Sequence, residues 1–124
     1  MTDISTRAHI EILIDEFYKK VIADPVIGFI FTDVVKLSWE KHIPVMYSFW
    51  ESMLLGENTY KGNPMVKHIE LDKLVTLTPE HFARWLQLWV TTVRQLFSGP
   101  KAEEAIDRAR NIAGLMLHKV EQSR

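Results

Sequence analysis

The side chains of this sequence that could bind a metal or move a proton are five histidines on separate parts of the chain. Cysteine is absent, which excludes thiolate metal sites, disulfides and cysteine nucleophiles. The HExxH pattern is missing, as is any glutamate followed three residues later by histidine. Phosphate-binding glycine motifs and a serine nucleophile elbow are missing too. The sequence therefore disfavours a metal site built from protein side chains alone.

One histidine, His68, lies in a segment that predicts its own short helix, GNPMVKHIEL at residues 62–71. Asn63 is a suitable N-cap, and Pro64 follows it at the position where proline is preferred in a helix. A single histidine beside apolar residues is more often a packed side chain than a ligand. Taken alone, His68 is compatible with both roles.

His42 and the large aromatic residues are also explained by ordinary packing when each is taken alone. His42 shares one helix face with apolar residues at i+4, i+7 and i+11. Four aromatic residues would be core by default, because their rings bury large areas. These are Phe49, Trp50, Trp85 and Trp89. Tyr18, next to Phe17, would by default be a boundary residue with a solvated hydroxyl.

A single cofactor, haem, explains these features together. Haem needs a histidine nitrogen as axial ligand, an apolar slot for a flat ring, and hydrogen-bond donors on the opposite side if oxygen is to be held. His68 would supply the ligand. Tyr18, His42 and Trp85 would face the open coordination position. The walls of the slot would be formed by Phe31, Met46, Phe49, Leu86 and Met116.

Helical periodicity runs through most of the chain and predicts an all-α fold. The first helix carries an apolar stripe and should end before Pro25. The stripe consists of Ile10, Leu13, Ile14, Phe17 and Val21. Residues 25–31 predict a tight turn into one or two helical turns. Ser38 is suited to cap a second helix that runs through Leu55 and is closed by Gly56.

The second half of the chain predicts a polar loop, the short helix of His68, a further loop and two long helices. The loops cover residues 56–63 and 71–77, and the pair Thr78 and Pro79 starts the third long helix. Its expected buried face is Phe82, Trp85, Leu86, Trp89, Val93 and Leu96. Residues 98–100 end it. The last helix carries Ala102, Ala105, Ile106, Ala109, Ile112, Ala113, Met116, Leu117 and Val120 in helical register.

Length and charge are those of one soluble domain. The chain has 124 residues, which we expect to form a single domain over 1–124. Its formal net charge of −1 gives no reason to expect a nucleic-acid or membrane-surface partner. The first 13 residues lack the apolar run of a secretory signal, and no apolar stretch is long enough to span a membrane. We therefore expect a cytoplasmic protein.

Four segments spread over most of the chain carry a resemblance to a known family. They are FY at 17–18, WEKHIPVMYSFW at 39–50, LLGENTYKGNPMVKHIEL at 54–71 and HFARWLQLW at 81–89. Together they resemble the truncated haemoglobins, bacterial members of the globin family, and specifically their third group. That group lacks the paired-glycine motifs of the other two, as this sequence does. The resemblance implies a two-over-two helical sandwich around haem b.

The resemblance also implies roles for individual residues. His68 corresponds to the proximal iron ligand, Tyr18 to the distal tyrosine and His42 to the distal-helix histidine. Trp85 corresponds to the indole that points into the ligand pocket, and Phe31 to a phenylalanine wedged against the ring. The remaining correspondences are the apolar distal residues Met46 and Phe49 and the propionate contacts Tyr60 and Lys67.

The function that these features predict is binding of O2, NO or CO at a five-coordinate iron. Several donors around one ligand favour slow release, which suits oxygen, NO or peroxide chemistry better than oxygen transport. Whether the protein is an enzyme stays open, because NO-detoxifying or peroxidase-like turnover needs an electron donor for which the chain has no binding motif. The alternative is a cofactor-free helical interaction module. A haem-based sensor is disfavoured, since no output segment follows residue 124, and we expect a monomer or weak dimer.

Overall fold

The structure, a computed structural model, describes residues 1–34, 39–58, 60, 62, 68 and 71–124. The regular elements within these residues are α1 (Arg7–Ala23), a π-helical turn (Ile30–Val34), α2 (Trp39–Leu55), α3 (Pro79–Leu96) and α4 (Pro100–Gln122). The predicted all-α fold is confirmed. In this part of the chain no helix combines the length and apolar character needed to cross a bilayer.

The four long helices pack as two pairs laid on each other. Helix α1 packs against α2, and α3 packs against α4, to which a short connection joins it. The pairs meet mainly where α1 crosses α3, with a smaller contact between α2 and α4. One contiguous core runs through the contacts, and Trp50 of α2 stacks on Trp89 of α3 with 4.2 Å between ring centroids. This is the predicted two-over-two sandwich.

Helix α1 follows the sequence prediction closely. Thr6 caps it by accepting a hydrogen bond from the backbone N–H of His9 at 3.2 Å. The predicted stripe from Ile10 to Val21 is fully buried, with at most 1% of any of its members exposed. The helix ends at Ala23, and residues 25–27 form a turn that leads into helical backbone from residue 28.

Helix α2 ends as predicted and is fastened to α1 by polar contacts on its outer side. Gly56 has φ +74°, the left-handed conformation that glycine adopts without steric cost after a helix. The predicted cap Ser38 lies outside the described residues. The Tyr47 hydroxyl donates to Asp15 of α1, and Arg7 pairs with Glu51 at 2.7 Å.

Helix α3 begins at the predicted cap, but its buried face is rotated from the predicted one. Thr78 and His81 form a reciprocal capping box, with Pro79 at the first helical position. Trp89 and Val93 are fully buried as expected. Four predicted face residues are only half-buried, namely Phe82, Trp85, Leu86 and Leu96. Leu88 and Thr92 are buried instead, because α3 is covered on two sides, by α1 and by α4.

Helix α4 keeps most of its predicted face and is capped from the other end of the chain. Seven of the nine predicted residues are buried, and Ile112 and Leu117 are half-buried. The Asp3 carboxylate accepts hydrogen bonds from the backbone N–H groups of Lys101 and Ala102 at 3.0 and 2.8 Å. Gly99, with φ +138°, has no side chain to do this. A Cβ at Gly99 would lie 2.6 Å from Asp3 Cγ, so the close approach requires glycine.

The connection before α3 is partly helical, which corrects one prediction. Leu71 and Asp72 have helical backbone, and the expected loop is confined to residues 73–77. The N–H groups of Leu74 and Val75 both donate to the Leu71 carbonyl, at 2.9 and 3.1 Å. These bonds close one helical turn, so the chain leaves helical geometry later than the composition of the segment indicates.

Candidate functional site

Tyr18 and His42 meet at the interface of α1 and α2. Tyr18 has only 8% of its surface exposed, so the default expectation of a solvated hydroxyl is wrong. Tyr18 is buried because α2 covers it, and His42 Nε2 of α2 lies 3.3 Å from the Tyr18 hydroxyl oxygen. Burial raises the pKa of Tyr18, because an apolar surrounding disfavours the phenolate. Tyr18 therefore stays protonated and able to donate a hydrogen bond at neutral pH.

An aromatic cluster surrounds Tyr18 and extends to α3. The Tyr18 ring lies edge-on to Phe31 of the π-helical turn and to Phe17, with ring centroids 6.0 and 5.1 Å apart. Phe17 in turn lies edge-on to Trp85, with 5.8 Å between the centroids. Edge-to-face packing of this kind fixes ring positions relative to one another. The structure thus brings Tyr18, His42, Phe31 and Trp85 together from four separate elements.

Two tryptophans one turn apart on α3 differ in how their indole N–H groups are satisfied. Trp89 is fully buried, and its Nε1 donates to the carbonyl of Ala105 on α4 at 3.1 Å. Trp85 is half-buried, and none of the described residues accepts a hydrogen bond from its Nε1. The two rings are nearly parallel, with centroids 6.2 Å apart. Trp89 is a core residue, as its default interpretation predicts, whereas Trp85 retains a donor for a ligand.

Apart from Phe31 of the π-helical turn, the predicted wall residues lie on α2, α3 and α4. Met46 and Phe49 of α2 and Leu86 of α3 are half-buried and pack against the edge of the core. Met116 of α4 is buried, with 6% of its surface exposed. Half-buried apolar side chains on facing helices leave apolar surface that another apolar group can cover. Their role as haem contacts stays a prediction.

The predicted proximal side is described at only two of its three residues. Tyr60 packs edge-on against Phe49, with 5.0 Å between ring centroids, and burial raises its pKa. His68 has helical backbone and is half-buried. Lys67 lies outside the described residues. Of the predicted short helix, the structure therefore describes His68 itself and not its bounds.

The chemistry of this set of residues fits a haem group. A half-buried imidazole on helical backbone suits an axial ligand, since it can reach a ring without being enclosed. Apolar side chains from the π-helical turn, α2 and α3 would supply a surface for the porphyrin. The buried, protonated Tyr18 and the available N–H of Trp85 supply donors. His68 would hold the iron, and Tyr18, His42 and Trp85 would face the ligand.

An ion pair that the sequence did not reveal joins two of the segments that carry the site. Asp24, whose side chain is 2% exposed, binds Arg84 of α3, with its Oδ1 at 2.6 Å from Nη2 and 2.8 Å from Nε. Burial opposes ionisation of Asp24, but hydrogen bonds from Arg84 and from the N–H groups of Ile27 and Val26 outweigh it and lower its pKa. The Asp-Pro dipeptide at residues 24–25 signals the turn, but nothing local signals a partner 60 residues away.

Comparisons with known proteins identify the family of the chain. A family model described as bacterial-like globin matches residues 2–118. The group 3 truncated hemoglobin ctb of Campylobacter jejuni is 33% identical over 104 residues, which are 82% of this chain and 80% of that protein. A crystal structure of group III truncated hemoglobin from Campylobacter jejuni matches with a TM-score of 0.84 at 28% identity, covering 97% of this chain and 95% of the other. The chain therefore belongs to the bacterial-like globin family, whose fold and haem-based binding of small ligands it shares.

Proposed function

We propose that the protein binds haem b through His68 and takes O2, NO or CO at a five-coordinate iron, for chemistry on bound oxygen, NO or peroxide rather than for oxygen transport. The observation that carries the proposal is the distal group, in which a buried, protonated Tyr18 lies 3.3 Å from His42 beside the half-buried Trp85. Haem supplies, when bound, an open coordination position for a diatomic gas. All other contributions come from the chain.

The role of Tyr18 follows from its single proton. A hydroxyl that donates to His42 has no proton left for a ligand, whereas a hydroxyl that accepts from His42 can still act as a donor. We assign the Nε2–H tautomer to His42, so that its ring donates to the Tyr18 oxygen and polarises the hydroxyl. Tyr18 and Trp85 then both aim donors at a ligand that carries negative charge, and both act in a low-dielectric site where such bonds are strong.

Retention of the ligand follows from this arrangement. Two donors that bind a partly anionic ligand raise the free energy needed for release, since hydrogen bonds to charged groups contribute about 1.5–3 kcal/mol each. Slow release favours reaction over delivery. NO-detoxifying or peroxidase-like turnover is an extension of the proposal and requires an electron donor, which we do not identify.

The setting of the protein belongs to the same proposal. We infer a single domain over residues 1–124, supported by the one contiguous core that joins the four long helices. We also propose a cytoplasmic location and a monomer or weak dimer. Gel filtration at two protein concentrations tests the last point, because a weak dimer elutes later on dilution.

Absorption spectra of a matched histidine pair test the proposal. Wild type and His118→Ala, which removes an exposed imidazole on α4, should retain hemin through desalting and show a Soret band that shifts when CO is added to the ferrous form. His68→Ala should lose the haem or change its ferrous spectrum. Wild type that emerges colourless after incubation with excess hemin would support the cofactor-free module instead. An unchanged spectrum in His68→Ala would remove His68 as ligand.

A further inference from the structure

The two oxygens of the Asp24 carboxylate are used for two different purposes. Oδ2 accepts hydrogen bonds from the backbone N–H groups of Val26 and Ile27, at 3.0 and 3.1 Å, and so shapes the turn that follows α1. Oδ1 accepts both contacts from Arg84, through Nη2 and Nε. One nearly inaccessible carboxylate thus accepts from four donor groups on three residues. Asp24 is therefore a junction between the end of α1, the turn and α3.

Each of the three segments that meet at Asp24 carries a residue of the distal group. Helix α1 carries Tyr18, the turn leads through helical backbone to Phe31, and Arg84 immediately precedes Trp85 on α3. Ring contacts join the same segments, because Tyr18 contacts Phe31 and the neighbouring Phe17 contacts Trp85. The junction and the cluster whose geometry the proposed function requires therefore connect the same three segments.

The first half of α3 is held less firmly than the second half, by its capping box and by the half-buried Phe82, Trp85 and Leu86, which pack against the edge of the core. From Pro79 to Gln87 no side chain is buried, and the fully buried residues of α3 begin at Leu88. A helix segment whose side chains are at most half-buried rotates at a smaller cost than a fully buried one, because burial supplies most of the stability of helices in proteins. Arg84 lies in the middle of this segment, with its guanidinium bound to a carboxylate that is fixed in the core.

We propose that the Asp24–Arg84 pair is a positioning device that sets the rotation of the first turns of α3 and thereby aims the Trp85 indole N–H at the distal ligand. The inference rests on the proposed function, because it concerns the donor that Trp85 offers to a ligand. Arg84 and Asp24 act through Trp85 and do not touch the ligand themselves. Ordinary surface ion pairs contribute little, but this pair has a buried carboxylate and two guanidinium contacts, so its geometry is well defined.

The C–O stretching band of the ferrous CO form is the readout, because it responds to donors beside the ligand and not to stability. Trp85→Phe should shift the band, and Arg84→Gln should shift it in the same direction. The matched control is Arg94→Gln, which breaks an exposed ion pair between α3 and Glu103 of α4 and should leave the band in place. Asp24→Asn, which breaks the pair from the other side while keeping an acceptor for the turn, should reproduce the shift.

The double variant Arg84→Gln/Trp85→Phe should show the band of Trp85→Phe alone, because Arg84 acts on the ligand only through the indole of Trp85, which this variant lacks. Additive shifts in the double variant would overturn the inference. So would wild-type bands in both Arg84→Gln and Asp24→Asn together with lowered melting temperatures, since the pair would then be structural only. A Trp85→Phe band that coincides with wild type would also overturn it.

Failure of the proposed function has a different appearance. If wild type holds no haem, the indole ¹H–¹⁵N signal of Trp85, identified by its loss in Trp85→Phe, still reports the pair. It should move in Arg84→Gln and stay in place in Arg94→Gln. An unmoved signal in Arg84→Gln would overturn the positioning role independently of any cofactor.

Discussion

The two halves of helix α3 treat their polar atoms differently: the half from Leu88 onward is here termed its sealed side, and the half before Leu88 its open side. On the sealed side the indole N–H of Trp89 donates to Ala105, and the Thr92 hydroxyl donates to the Leu88 carbonyl at 2.7 Å. On the open side Trp85 is half-buried, and its N–H has no acceptor among the described residues. The two parts of α3 therefore differ in whether the protein itself satisfies their hydrogen-bonding groups. On the sealed side both donors have acceptors within the protein. On the open side, half-buried apolar surface and the Trp85 donor are accessible to a ligand.

The largest effect that separates the two sides is on stability. Trp89→Ala should lower the free energy of unfolding by about 3–5 kcal/mol, because it leaves a cavity in a packed core and strands the acceptor that its N–H satisfies. Trp85→Ala, on the half-buried side, should cost less than about half as much. Urea unfolding of the haem-loaded variants, followed by far-UV circular dichroism, measures both. Equal losses would mean that the two sides do not differ in packing.

The next effect concerns ligand release from the open side. Tyr18→Phe should speed O2 release about ten- to a hundred-fold, since a hydrogen bond to a charged group is worth about 1.5–3 kcal/mol. Tyr47→Phe removes a hydroxyl that donates to Asp15 away from the distal group and serves as control. Stopped-flow displacement of O2 by CO measures the rates. An unchanged off-rate in Tyr18→Phe would remove this residue from the distal donors.

A smaller effect comes from the junction at Asp24, which anchors the open side through Arg84, and it depends on pH. The pKa of Asp24 lies below its ordinary value of 3.8, since the hydrogen bonds from Arg84 and the turn outweigh burial. A depressed pKa in the folded state means that the stabilisation is present at neutral pH and is lost as the pH falls below about 4. Asp24→Asn should therefore cost about 1–3 kcal/mol at pH 7 and less on acidification. Chemical unfolding across this pH range measures the difference, and a constant difference would contradict the assignment.

The smallest effect concerns the phenolate absorbance of the tyrosines, which we expect to be nearly absent in native protein at a pH where a free tyrosine ionises. All three tyrosines have raised pKa values, in each case because burial disfavours the phenolate, with Asp15 adding to the effect at Tyr47. Native protein at pH 10.0, the ordinary tyrosine pKa, should therefore show little phenolate absorbance. The same titration in denaturing urea should show the ordinary midpoint. Phenolate absorbance equal to one whole tyrosine, developing in native protein with the ordinary pKa, would indicate an exposed hydroxyl and contradict the prediction.

The sequence predicted those parts of the fold that depend on neighbouring residues. The Thr78–Pro79 start, the end of α1 before Pro25 and the left-handed Gly56 are decided within one helical turn, and all are found. The buried stripe of α1 was also predicted, because a single periodic face determines it. The rotated face of α3 was not predicted, since two apolar faces compete there and the neighbouring helices select between them.

The candidate site divides in the same way. Residue types and the family resemblance supplied Tyr18, His42, Trp85 and His68, and the structure brings the first three into one cluster through ring and hydrogen-bond contacts. The roles of all four stay predictions. The ion pair of Asp24 and Arg84 was not predicted, because no local sequence pattern pairs charged side chains that are 60 residues apart.

Local signals in the chain specify where helices start, where they stop and which side chains are apolar, since caps, prolines and periodicity act over a few residues. Which of these surfaces become buried, and which distant groups meet, depends on the packing of the whole fold. Asp3 caps α4 from 98 residues away, and Arg84 reaches Asp24 across 60. Contacts of this kind depend on how whole helices pack, because a hydrogen bond forms only when both groups are brought within about 3 Å.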